Sequence, residues 1–84
     1  MKNKVLVELI VPEIDRKFNL FIPVNKKVGN IIVLLNKSVT DLTNGLYNGT
    51  SATSIYDRLT GKKYNIDDIV RNTDIRNGST LILI

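Results

Sequence analysis

The stretch Val28-Gly29-Asn30-Ile31-Ile32-Val33-Leu34-Leu35-Asn36-Lys37-Ser38-Val39-Thr40-Asp41-Leu42-Thr43-Asn44-Gly45 settles the architecture, because it reads as a helix while its flanks read as strands. Val28, Ile31, Ile32, Leu35, Val39 and Leu42 recur at helical spacing and share one stripe. A helix with a single apolar stripe covers a sheet. Asn25 is a suitable amino-terminal cap, since its side-chain oxygen can accept from the first free amides. Gly45 after Asn44 is a suitable stop, since glycine takes the left-handed conformation without a Cβ penalty. Gly29 inside the pattern costs about 1 kcal/mol relative to alanine, and it predicts a close approach of helix to sheet.

Upstream, Val5, Val7, Leu9 and Val11 alternate with Lys4, Leu6, Glu8 and Ile10 at the period of a strand over Lys4 to Val11. Pro12 ends it. After the polar turn Glu13-Ile14-Asp15-Arg16, a second run sets Phe18, Leu20 and Ile22 against Lys17, Asn19 and Phe21 and closes at Pro23, which predicts a hairpin. Downstream, Leu46 to Thr53 is rich in Gly, Asn, Ser and Thr and reads as a loop, followed by a short strand over Ser54 to Leu59. Thr60-Gly61-Lys62-Lys63 reads as a turn and Tyr64 as the start of another very short strand. Asn65 or Asp67 then opens a brief helical turn carrying Ile66, Ile69 and Val70. Arg76-Asn77-Gly78 turns the chain into a last strand, Ser79 to Ile84. The order is ββαββ plus a final strand. A long helical crossover lets the last strand insert parallel to the first. The expected fold is therefore α+β, a β-grasp with a mixed sheet packed on one helix.

The chain of 84 residues fits one domain spanning 1–84, and 43% hydrophobic with 24% charged residues is ordinary globular composition. Cysteine and histidine are both absent. That removes thiolate chemistry, disulfides, the commonest metal ligands and the commonest general base. Met1-Lys2-Asn3-Lys4 and the apolar run after it resemble a very short signal peptide, but the run is interrupted by Glu8 and followed by Glu13, Asp15, Arg16 and Lys17, so a first strand explains it better. No segment reaches membrane-spanning length. These features predict a soluble cytoplasmic protein.

The order of elements, Thr60-Gly61-Lys62 in its turn, and the ending Ile75-Arg76-Asn77-Gly78-Ser79-Thr80-Leu81-Ile82-Leu83-Ile84 together resemble the ubiquitin superfamily over nearly the whole chain. Within it the sequence looks most like the YukD/EsaB family of small bacterial proteins associated with type VII secretion, which similarly begin on a strand and stop on an Asn-Gly-led apolar ending. The resemblance implies a non-enzymatic module that binds a component of a type VII secretion machinery. Ubiquitin itself is conjugated through a flexible tail ending in two glycines. This sequence stops at Ile84 without them, so non-covalent binding is expected.

If Val5, Val7, Leu9, Leu81 and Leu83 face the helix, the strand period places Leu6, Ile10, Ile82 and Ile84 on the opposite face of two neighbouring strands. Four aliphatics side by side on one face mark an interaction surface, and superfamily members commonly bind through this face. Arg58, with Lys4, Glu8 and Lys62, supplies a charged rim. The predicted protein-binding residues are thus Leu6, Ile10, Arg58, Ile82 and Ile84, with Phe21 extending the patch or packing locally. The competing reading is that the Leu46 to Thr53 loop covers these aliphatics or that their exposure is merely tolerated. The formal charge of +4, with Lys and Arg spread along the chain, leaves a nucleic-acid-binding module as an alternative. Unclustered charge and few aromatics speak against it. A self-associating domain forming a homodimer through the same patch is the other alternative. Asp67-Asp68 resembles a paired carboxylate, but no base accompanies the nearby hydroxyls, and a helix amino end explains the pair better. No phosphate-binding glycine motif or metal-ligand spacing occurs, so no cofactor and no metal are expected.

Overall fold

The two alternating runs become two long paired strands in the structure, a computed structural model that describes residues 3–84. Met1 and Lys2, the basic start of the amino end, lie outside the described residues. Strand β1 (Lys4–Val11) pairs antiparallel with β2 (Arg16–Pro23) in unbroken one-to-one register, from Lys4 opposite Pro23 to Val11 opposite Arg16. A 3-10 turn at Pro12–Ile14 connects them, and Asp15 adopts the left-handed conformation that its short polar side chain tolerates. Pro12 stops the first strand because it has no amide to donate.

Helix α1 (Val28–Leu42) buries Val28, Ile31, Ile32, Leu35 and Val39 as the stripe predicts. Leu42 does not join them and is 56% exposed. The buried side chain of that region is Tyr47, folded back so that its hydroxyl donates to Asn36 Oδ1 at 2.7 Å while Thr40 Oγ1 donates to its carbonyl at 2.9 Å. The helix ends in a Schellman arrangement: Gly45 N–H donates to the Thr40 carbonyl at 2.9 Å, with Asn44 and Gly45 both at positive φ.

The amino end differs from the sequence reading. Asn25 is not the cap; Lys27 holds that position without a side-chain hydrogen bond. The free amides are instead met by a distant loop, Val28 N–H donating to the Asp68 carbonyl at 2.8 Å and Gly29 N–H to the Ile66 carbonyl at 2.9 Å. This also corrects the role of Gly29. A Cβ there would meet the Ile66 oxygen at 3.2 Å, so the close approach is to the 66–68 loop and not to the sheet.

Strand β3 (Ile55–Asp57) and strand β4 (Thr80–Leu83) are shorter than the runs suggest. The strand expected at Tyr64 is reduced to a single bridge between Lys63 and Tyr56. The expected helical turn forms later, as a 3-10 turn at Val70–Asn72, because Asn65 Oδ1 accepts from Asp67 N–H at 2.9 Å and turns the chain first. Asp67 and Asp68 therefore do not open that helical turn. The sheet order is β2-β1-β4-β3, with β4 parallel to β1 and the other pairs antiparallel. This is the mixed sheet packed on one helix of a β-grasp. Leu9, Ile31, Ile55, Ile75, Leu81 and Leu83 are fully buried between them.

Candidate protein-binding surface

The face of the sheet away from α1 is built in rows, because residues opposite each other across a ladder share a face. Ile10 lies opposite Ile82, and Ile82 opposite Tyr56, so one apolar row crosses three strands. Lys17 continues that row onto β2. All three apolar members are half-buried. The next row is polar: Asn19 opposite Glu8, Glu8 opposite Thr80, and beyond them Arg58, whose amide donates to the Thr80 carbonyl at 3.1 Å. Leu6 and Phe21 form the third row, 39% and 54% exposed. Leu6 is fixed there by Asn77, whose Oδ1 accepts its amide at 2.8 Å, and by Gly78 N–H, which donates to its carbonyl.

The five residues expected from the sequence thus divide. Ile10 and Ile82 stand together at the centre, and Arg58 flanks the polar row. Leu6 and Ile84 lie towards opposite ends of the face, Ile84 61% exposed and tied by its backbone to the buried Ser54. The four aliphatics are therefore not one adjacent patch. The parallel register pairs residue 8 with 80 and 10 with 82, so Glu8 and Thr80 fall between Leu6 and the Ile10–Ile82 pair. Tyr56 is the member that sequence reasoning missed. Counting two residues back from Arg58 at the strand period reaches it.

The loop after α1 does not reach towards this face. Its hydrogen bonds run to the helix, through Tyr47 to Asn36, Thr40 and Thr43, and Gly49 rests against the Asn36 side chain. The helix lies on the opposite side of the sheet.

One titratable cluster stands apart from the outer face. The Tyr64 hydroxyl donates to Asp74 Oδ1 at 2.7 Å, Lys62 Nζ pairs with Asp74 Oδ2 at 3.2 Å, and the same ammonium sits 5.0 Å from the centre of the Tyr64 ring. Burial, and then the bond to Asp74, push the Tyr64 hydroxyl above its ordinary range. The Tyr64 hydroxyl, and then Lys62, hold the Asp74 carboxyl below its own. Each group is thereby held more firmly in its neutral-pH state, which suits a clasp between two segments. Among the described residues no group of three His, Cys, Asp or Glu side chains gathers to hold a metal, and no helix is long and apolar enough to cross a membrane.

No family model matches this sequence, and no curated protein matches it. Solved structures do. The chain is similar to the EccD5 ubiquitin-like domain from Mycobacterium xenopi, at 13% identity and a TM-score of 0.78, over 96% of this chain and 92% of that one. It is similar to the ubiquitin-like domain of the Mycobacterium tuberculosis type VII secretion system protein ECCD1, at 12% identity and a TM-score of 0.75, over 96% and 97%. A chain of the ESX-5 inner membrane complex matches at 14% identity and a TM-score of 0.72, over 98% of this chain but 21% of that one. The present chain thus spans about a fifth of that component. At these identities the likeness establishes the ubiquitin-like β-grasp fold.

Proposed function

We propose that this protein is a non-enzymatic, cytoplasmic binding module that serves a bacterial type VII secretion machinery as an accessory or regulatory component, in the manner of the YukD/EsaB family. It engages a protein component of that machinery non-covalently through the outer sheet face. The observation that carries this reading is the row Ile10–Ile82–Tyr56, half-buried aliphatic and aromatic side chains lined up across three strands and bordered by Glu8, Thr80 and Arg58. An apolar centre with a polar border is the composition of a protein-binding patch, in which the buried aromatic and aliphatic anchors carry the energy. The fold shared with two ubiquitin-like domains named for type VII secretion proteins supports the pathway.

The test is capture from the native cytoplasm with the wild-type protein and a folded Ile82→Asp variant, reading proteins and nucleic acid together. A secretion component captured by the wild type and lost in the variant is the expected result. Nucleic acid retained equally by both would move the function to the basic surface, and a wild-type dimer abolished by the substitution would make self-association the role.

A further inference from the structure

Three Asn-Gly pairs punctuate the chain, Asn44-Gly45, Asn48-Gly49 and Asn77-Gly78, and every other asparagine precedes a residue with a side chain. Such a pair has a chemistry of its own. Glycine has no Cβ to shield its amide, so its nitrogen can reach the Cγ of the preceding asparagine and close a succinimide ring. Closure needs a glycine N–H that is free to give up its proton and an asparagine side chain that can swing onto the nitrogen. The fold treats these two groups differently in each pair.

At 77–78 both are engaged. Gly78 N–H donates to the Leu6 carbonyl at 2.8 Å and Asn77 Oδ1 accepts the Leu6 amide at 2.8 Å, so closing the ring breaks the first bond and strains the second. At 44–45 the nucleophile is engaged, because Gly45 N–H donates to the Thr40 carbonyl at 2.9 Å in the turn that ends α1. At 48–49 neither is firmly held. Among the described residues no hydrogen bond is donated by Gly49 N–H. Asn48 is exposed, and its Nδ2 donates to the Gly45 carbonyl only at 3.4 Å, the long limit of a hydrogen bond.

Glycine at 49 is itself imposed by the fold. A Cβ there would run into the Asn36 side chain, whose Oδ1 accepts the Tyr47 hydroxyl at 2.7 Å. The corner that buries Tyr47 therefore requires, next to an exposed asparagine, the one residue type that leaves its amide nitrogen unshielded.

We propose that Asn48-Gly49 is a site of spontaneous backbone modification, at which Asn48 is converted to aspartate and isoaspartate while the fold protects the identical pairs at 44–45 and 77–78. Hydroxide takes the proton from Gly49 N. The nitrogen bonds to Asn48 Cγ, the Cγ–Nδ2 bond breaks, and Nδ2 leaves as ammonia after taking a proton from water. Water then opens the ring on either side. Attack at Cγ gives aspartate; attack at the backbone carbonyl carbon of residue 48 gives isoaspartate, with the chain rerouted through Cγ. One water enters and one ammonia leaves, and the formal charge of +4 falls by one. The loop is bonded to the helix side of the sheet, so the change is independent of the outer sheet face.

The experiment holds the whole protein in warm, mildly alkaline buffer, folded and in urea. Each Asn-Gly pair is followed by proteolysis and fragmentation mass spectrometry, which separates Asn44 from Asn48, and isoaspartate is counted by enzymatic methylation. In the folded protein the mass change from amide to acid should appear at Asn48 at least about fivefold faster than at Asn44 or Asn77, because each protected pair must first give up a hydrogen bond. In urea the three should react at similar rates. The rate at Asn48 should rise with pH, since the deprotonated nitrogen is the nucleophile. Asn48→Gln, which would have to close a larger ring, should remove the fast reaction and leave the two slow ones unchanged. Equal rates at the three pairs in the folded protein, a faster change at Asn44 or Asn77, a preference for Asn48 that persists in urea, or no change at Asn48 while the urea sample reacts would each overturn the proposal.

Discussion

The two edges of the sheet are finished in opposite ways. Strand β3 is three residues long, and the turn after it folds back so that Asp57 N–H donates to the Lys62 carbonyl at 2.8 Å and Tyr64 N–H to the Ile55 carbonyl at 3.1 Å. Lys63 bridges Tyr56, and the Tyr64–Asp74–Lys62 clasp holds the turn against the chain beyond. Strand β2 is eight residues long, and among the described residues no other strand pairs with its outer side. One edge is thus closed by the chain's own backbone, while the other keeps its hydrogen-bonding groups for solvent or a partner. A short, clasped edge leaves few backbone groups unpaired, whereas a long regular one leaves a full row of them.

Substitutions that separate the two edges range from several kcal/mol to nearly nothing. Ile55→Ala should cost about 2–5 kcal/mol, measured by urea unfolding, because Ile55 is fully buried and anchors the closed edge in the core. Gly61→Ala should cost about 1–2 kcal/mol in the same assay; Gly61 sits at φ +73 with nothing within 4 Å of a Cβ, so the whole effect is backbone strain. Tyr64→Phe should cost about 1 kcal/mol by losing the bond to Asp74.

The same Tyr64 substitution should change the pH dependence. The hydroxyl's folded pKa is raised, so its contribution is complete below the ordinary tyrosine value of 10.0 and is lost as pH rises above it. Wild-type stability should therefore fall in alkali, and Tyr64→Phe should flatten that fall; an unchanged alkaline slope would remove Tyr64 as its source. On the open edge, Asn19→Thr should shift stability by less than about 0.5 kcal/mol, since Asn19 is an exposed surface side chain with little packing to lose. Its amide, with those of Lys17 and Phe21, should exchange far faster in the free protein than that of Tyr64.

How much of this was legible in the sequence varies with the range of the interaction. The hairpin, the helix and the last strand read correctly because their signals are local: period two in Val5-Leu6-Val7-Glu8-Leu9, and the stripe from Val28 to Val39. Ile10 and Ile82 were legible as outward residues for the same reason. Glu8 between Leu6 and Ile10 was legible too, but the distance of Ile82 from Leu6 was not, because it depends on which residue of β4 faces which residue of β1, a register that no local pattern of either strand specifies. The single bridge at Lys63 in place of a strand has a similar cause, since β3 ends at Asp57 and the chain turns at once.

Sequence alone determined which side of each strand and of α1 from Val28 to Val39 turns to the core, that one helix would cover one sheet, and that the chain offers neither imidazole nor thiol. Only the tertiary structure decided that the first amides of α1 are capped by Ile66 and Asp68 carbonyls, that Tyr47 and not Leu42 is buried near the helix's carboxyl end, and that Tyr56 joins Ile10 and Ile82. The physical reason is common to all three. Periodicity fixes the direction of a side chain relative to its own backbone, whereas a cap, a filled corner or a row exists only once distant segments meet.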